Sequence, residues 1–200
     1  EILSIVGGLG ERDLCLCLIS GGGSALMPAP VEAVSLADKL AVTQHLSGAG
    51  ANIQELNTVR KQLSRIKGGG LARACRAGRL VSLLISDVLG DPLDVIASGP
   101  TVDDSSTPQG ALDVLQRFDA RAAGISSRVF DYLEGKRREA EAAKAAAAPG
   151  ATGPRHGGQD AAERQHPRRQ LTLIIGNNAT AVEAAGAEAE RLGYSQAMES

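Results

Sequence analysis

The sequence predicts an α/β fold built on a parallel sheet, and three observations carry that prediction. Short apolar runs recur at 14–19, 80–85 and 171–175. Each is too short for a buried helix and reads as a strand covered on both faces. Each stops at turn-forming residues: Ser20-Gly21-Gly22-Gly23-Ser24, Ser86-Asp87 and Gly176-Asn177-Asn178. Stretches of helical spacing separate them, which is the alternation of a parallel sheet.

The elements follow in order. Glu1 to Gly8 reads as the tail of a helix that begins before residue 1, without the basic leader of a signal peptide. Cys15 and Cys17 share one face of the first strand and, with Cys75, make no disulfide framework. They read as small buried hydrophobes in a reducing compartment. Pro28 and Pro30 keep a long helix from starting straight after the glycine turn. A helix is expected over 35–46, capped by Ser35, with Gly48 and Gly50 ending it. Asn52 opens another, with Glu55 as capping-box partner and a stripe of Ile53, Leu56, Val59, Leu63 and Ile66. Its polar side carries Arg60, Lys61, Arg65 and Lys67. Gly68-Gly69-Gly70 introduces a short helix over 71–76. A long loop follows the second strand over 90–104, then helices over 109–118, 127–133 and, after the third strand, 179–192.

This divides the chain into four parts. Residues 1–135 form the first part of the α/β domain, and 170–195 its final strand–helix unit. Between them, 136–169 reads as a flexible Ala/Gly/Pro/Arg-rich linker or insertion, with eight Lys/Arg against four Asp/Glu. Its histidines, His156 and His166, share that reading. Residues 196–200 form a divergent tail, and the sheet is expected to be incomplete.

Composition narrows the function. A formal charge of −2, 2% aromatic residues and no Trp leave little with which to bind nucleic acid. No apolar run approaches the roughly 20 residues that span a bilayer.

The three strand exits fall along one edge of a parallel sheet, where such folds bind ligands. The glycine turn lets backbone N–H groups converge on a phosphate or carboxylate, the alternative being a merely tight turn. It lacks the Lys-[Ser/Thr] ending of a P-loop and the spacing of a dinucleotide fingerprint. Asp87 either holds Mg²⁺ or a substrate hydroxyl, or caps the turn after the second strand. The loop from Gly90 to Thr101, rich in small polar residues, either lines a site or serves as a structural crossover. Arg60, Lys61, Arg65 and Lys67 suit an anion, or form a solvated face. The glycines at 68–70 add the donors of a helix N-terminus. A serine hydrolase lacks its G-x-S-x-G elbow here, and His45 is the one histidine outside the linker. A dehydrogenase is a weaker reading still, because Gly7-Gly8-Leu9-Gly10 precedes the first strand instead of following it.

Three stretches, LISGGGSALMPAP (18–30), LNTVRKQLSRIKGGGLA (56–72) and LISDVLGDPLDVIASGPT (84–101), together resemble the glycerate kinases whose N-terminal domain precedes a smaller MOFRL domain. The resemblance covers about 14–120 and 171–193. It implies a Rossmann-like parallel sheet with helices on both faces, and transfer of the γ-phosphoryl of ATP, with Mg²⁺, to the 2-hydroxyl of D-glycerate. By the resemblance, Ser20, Gly21, Gly22, Gly23 and Ser24 contact nucleotide phosphate. Lys61 and Asp87 are the expected catalytic groups, and Asp87 and Asp94 the expected metal ligands. Arg60, Lys67, Ser98, Gly99 and Thr101 line the substrate. The family's earlier Gly-Lys segment and its second domain have no counterpart in this sequence, so little or no kinase activity is expected of the chain alone. The alternative is a catalytically silent truncated isoform, or an α/β fragment that only binds. A cytoplasmic location is expected, with mitochondrial as the alternative, and a homo-oligomer of the full-length protein is compatible with the resemblance.

Overall fold

The computed structural model describes residues 1–147 and 169–195. Helix α1 (Ile2–Gly7) leads into strand β1 (Leu14–Ile19), a single-turn helix α2 (Gly23–Leu26), and helices α3 (Leu36–Gly48), α4 (Ile53–Gln62) and α5 (Gly70–Ala74). Strand β2 (Arg79–Ile85), a 3₁₀ turn at Ile96–Ser98, and helices α6 (Pro108–Arg117) and α7 (Ser127–Ala147) follow. Strand β3 (Arg169–Gly176) and helix α8 (Asn178–Arg191) complete the described chain.

The three strands form one parallel sheet in the order β1-β2-β3, with Leu16 opposite Val81 and Val81 opposite Leu171. Parallel neighbours cannot be joined by a tight hairpin, so α2 to α5 fill the first crossover and α6 and α7 the second.

Local chemistry sets the helix starts. Ser35 accepts from the Asp38 N–H while the Asp38 carboxylate accepts from the Ser35 N–H, a reciprocal capping box. Asn52 and Glu55 repeat the device at α4. The core has two principal parts. Val42, Leu46, Val59, Leu63, Val114, Leu115, Val129 and Leu133 close a helical layer from α3, α4, α6 and α7. A second cluster, with Val6, Ile66, Leu71, Cys75 and Leu80 at its centre, packs α1 and α5 against one face of the sheet, and Cys15 and Cys17 reach into it.

Two expectations change. β1 and β3 are covered on one face only among the described residues: Leu14, Leu16, Leu18, Leu171, Leu173 and Ile175 are exposed, Leu18 by 70%. The run reports that both faces of each strand are apolar, and the described residues cover only one of them. The second change concerns α7, which continues to Ala147, well past the change of composition at Lys136. Alanine is the strongest helix former, and the ion pairs Lys136–Glu139 and Arg137–Glu141 lie along the helix surface. The rest of the expected linker, including His156 and His166, and the tail at 196–200 lie outside the described residues.

No helix among the described residues is long and apolar enough to cross a membrane. Cys15, Cys17 and Cys75 are free thiols, and burial together with Cys75 raises Cys15 to about 11, so it stays protonated at neutral pH. The His45 ring bonds the Phe118 carbonyl at 2.7 Å through Nε2, which ties α3 to the end of α6.

Candidate functional site

The basic side of α4 turns inward at its C-terminal end. Ser64 folds the chain there: its Oγ accepts from the N–H groups of Ile66 and Lys67 at 3.3 and 3.2 Å, and donates to the Ala29 carbonyl. Lys67 is thereby carried into the interior, only 1% exposed. Its ammonium donates to the Ser24 carbonyl at 2.6 Å and to Ser24 Oγ at 2.8 Å. Arg60, on the last turn of α4, donates through Nη2 to the same Ser24 Oγ at 2.7 Å and through Nη1 to Asn57 Oδ1 at 3.3 Å.

Ser98 closes the network. Its Oγ donates to Asn57 Oδ1 at 3.2 Å and lies 2.8 Å from Ser24 Oγ. With the Ser98 proton committed to Asn57, the Ser24 hydroxyl donates to Ser98 and keeps its lone pairs for the two cations. Four residues singled out from sequence, Ser24, Arg60, Lys67 and Ser98, thus meet at one point beside the exit of β1. Asn57 completes the network and was not singled out.

The electrostatics are unusual. Among the described residues neither Arg60 nor Lys67 forms an ion pair. Burial, reinforced by Arg60 and then Lys39, lowers Lys67 to about 7. Burial also lowers Arg60. Lys61 is handled in the opposite way. Its ammonium, equally buried, lies 3.1 Å from Asp94 and 3.7 Å from Asp104, so its charge is neutralised within the protein.

The strand exits hold the remaining expected groups. Gly22 takes a left-handed conformation, φ +77, which bends the chain into α2. A Cβ on Gly21 would sit 2.5 Å from Asp87 Oδ2, so the absence of a side chain lets the Asp87 carboxylate approach the glycine turn. Ser86 supports the turn after β2 by accepting from the Val88 N–H at 3.2 Å, which leaves the exposed Asp87 to face the turn at Gly21. Across the sheet edge, the Asn177 amide donates to Asp91 at 2.5 Å while its Oδ1 caps α8. Ala97, Ser98 and Gly99 all have positive φ, between 51 and 60. Two non-glycine residues held in that region store strain, which is typical of a backbone held in place for a ligand.

The glycines at 68–70 serve a different purpose from the one expected. The N–H groups of Gly68 and Gly69 donate to the Ser98 and Gly99 carbonyls at 3.0 and 2.7 Å, and that of Leu71 to Pro100 at 3.1 Å. These donors are bound to the chain itself and pin the 98–100 loop. Thr101 is buried and uses its carbonyl to accept from Gln170, so it braces β3.

No group of three or more His, Cys, Asp or Glu gathers into a metal-holding cluster among the described residues. Magnesium is commonly held by one or two carboxylates together with substrate phosphates and water, and the exposed Asp87 at a strand exit fits that pattern. Asp94 is engaged by Lys61.

The chain is thus an α/β domain whose parallel sheet carries, beside the exit of β1, two buried cationic side chains without an ion pair among the described residues. The chain belongs to the family described as a domain of unknown function, DUF4147, which matches residues 1–134. It is 45% identical over 193 residues to a glycerate kinase of Macaca fascicularis, covering 96% of this chain and 43% of that protein. A protein of Agrobacterium vitis, provisionally named a hydroxypyruvate reductase, is 52% identical over 118 residues, covering 59% of this chain and 27% of that protein. The crystal structure of a glycerate kinase from Thermotoga maritima superposes with a TM-score of 0.70 at 37% identity, over 96% of this chain and 39% of that one. The chain therefore spans less than half the length of these relatives.

Proposed function

We propose that the protein phosphorylates D-glycerate at its 2-hydroxyl with ATP and Mg²⁺, and that this chain supplies the anion-binding wall of the site. The observation that carries the reading is the meeting of Arg60, Lys67, Ser24 and Ser98 at the ligand-binding edge of the sheet, with the two cations free of ion pairs among the described residues. The similarity to glycerate kinases supports it.

In the reaction the 2-hydroxyl oxygen forms a bond to the γ-phosphorus, the bond from that phosphorus to the β,γ-bridging oxygen breaks, and the hydroxyl proton leaves. Such a transfer depends on positioning and charge neutralisation more than on a nucleophile from the protein. Arg60 offers a planar fork and Lys67 a point charge to the anionic oxygens. Ser24, itself held by Ser98, fixes both cations in place before the substrate arrives. The turn at 20–24 takes nucleotide phosphate, and the Ser98–Gly99–Thr101 segment forms the pocket wall. Asp87 is the residue that would hold Mg²⁺, and the metal supplies neutralisation of the phosphate charge. Lys61, fixed between Asp94 and Asp104, positions α4 against the 90–104 loop and does not itself neutralise the substrate.

A thermal melt with D-glycerate, Mg²⁺·ATP or NADH, each alone, tests this reading. A ligand raises the melting temperature only by binding the native state in preference to the unfolded one. D-glycerate and Mg²⁺·ATP are expected to raise it and NADH to leave it unchanged. A rise with NADH alone would move the protein to the oxidoreductases.

A further inference from the structure

Lys39 is the one lysine whose burial nothing in the mechanism explains. It lies on α3 and is 6% exposed, and among the described residues its buried Nζ has no hydrogen-bond partner. Burial, and after it the Arg60 guanidinium, lowers Lys39 to about 8, and Lys39 in turn adds to the lowering of Lys67. Three cationic side chains, from α3, α4 and the turn after α4, are thus near enough to feel one another's charge. Arg60 and Lys67 bond the same Ser24 hydroxyl.

Burying an ammonium without a counter-charge costs several kcal/mol, and like charges beside it add to the cost. This chain shows the usual remedy elsewhere, since Lys61 has two carboxylates. Among the described residues no carboxylate forms an ion pair with Lys39, Arg60 or Lys67.

We propose that Lys39 is the third cation of a pocket for a doubly charged phosphoryl group, shared with Arg60 and Lys67. Charge count favours phosphoryl over carboxylate. Three neighbouring cationic side chains match a dianion with several acceptor oxygens, whereas a monoanionic carboxylate would leave most of the charge uncompensated. Identifying this group with the one that passes to glycerate rests on the kinase reading; the anion pocket does not.

The test titrates inorganic phosphate and, separately, D-glycerate into the full chain, its Lys39→Met variant and its Lys39→Arg variant, following the melting temperature. Without ligand, Lys39→Met is expected to melt higher than the parent, because an unpaired buried charge has been removed. Its apparent phosphate affinity is expected to fall by about tenfold or more, the loss of one charge-assisted contact. Lys39→Arg is expected to keep most of the response. A lysine that only packed would give the reverse: a lower melting temperature for Lys39→Met and an unchanged phosphate response, and that result would overturn the proposal. So would a parent chain that responds to D-glycerate and not to phosphate. A phosphate response that depends on Lys39, without any D-glycerate response, would uphold the pocket and sink the glycerate reading.

Discussion

Replacing Lys67 with methionine is expected to weaken binding of phosphate and D-glycerate by roughly a hundredfold, the scale of losing a buried charge-assisted contact of about 3 kcal/mol. Methionine matches the length and apolar stem of lysine, so the interior position stays filled. What disappears is the ammonium that donates to the Ser24 carbonyl and hydroxyl. Without it the Ser24 hydroxyl loses one of the two cations that fix it, and the anion loses a central partner. Stability should change much less, because the lost hydrogen bonds are offset by relief of repulsion with Arg60 and Lys39. Calorimetric titration checks this, and an affinity within twofold of the parent would remove Lys67 from the site.

Replacing Gly70 with alanine is expected to destabilise the fold by about 3 kcal/mol, lowering the melting temperature by roughly 6–12 °C. The added Cβ would lie 2.2 Å from the Arg65 carbonyl oxygen and 2.7 Å from its carbon. Both are backbone atoms, in a segment whose Leu71 N–H is tied to the Ile66 carbonyl, so no flexible side chain can yield. Either α5 or the 65–67 turn must shift, and the turn carries Lys67. The substitution should therefore weaken phosphate binding as well. Gly48→Ala is the control, since a Cβ there meets nothing within 4 Å. Equal melting temperatures for the two variants would contradict the packing argument.

What the sequence made legible follows physical range. The Asn52–Glu55 capping box and the Ser35 cap are local in sequence and were readable as such. The strands were readable from their apolar runs, but the runs do not say what covers each apolar face, and Leu14, Leu16 and Leu18 turned out exposed among the described residues. The anion site was half legible. Ser24, Arg60, Lys67 and Ser98 stand in glycine- or base-rich stretches that suggest ligands. Lys39 sits beside Leu40 on an ordinary helix, and its burial depends on how α3 meets α4, which no local pattern encodes. Asn57 and Asp104 escaped for the same reason. The glycines at 68–70 illustrate the reverse error: a helix N-terminus offers donors, but only the tertiary structure shows that the 98–100 carbonyls already take them.

The pH behaviour of the cluster follows from its direction of shift. Lys67, near 7 in the folded chain and near 10.5 when unfolded, is neutral when folded and charged when unfolded across that window. Stability from this group therefore rises as pH increases through the window, and below about 7 the full penalty of a buried charge is present. Anion binding reverses the preference, because a phosphate or carboxylate favours the protonated amine. Binding should take up a proton near neutral pH, and affinity should decline as pH rises above 7. Arg60 and Lys39, the charged groups that face Lys67, are both cations, so neither supplies an opposing shift.

The most direct measurement is an NMR pH titration of the Lys67 side-chain carbon next to its amine, with and without D-glycerate, assigned by comparison with Lys67→Met. The account predicts a midpoint near 7 in the free chain that moves upward when D-glycerate is added. A midpoint near 10.5, or one that D-glycerate leaves in place, would contradict it.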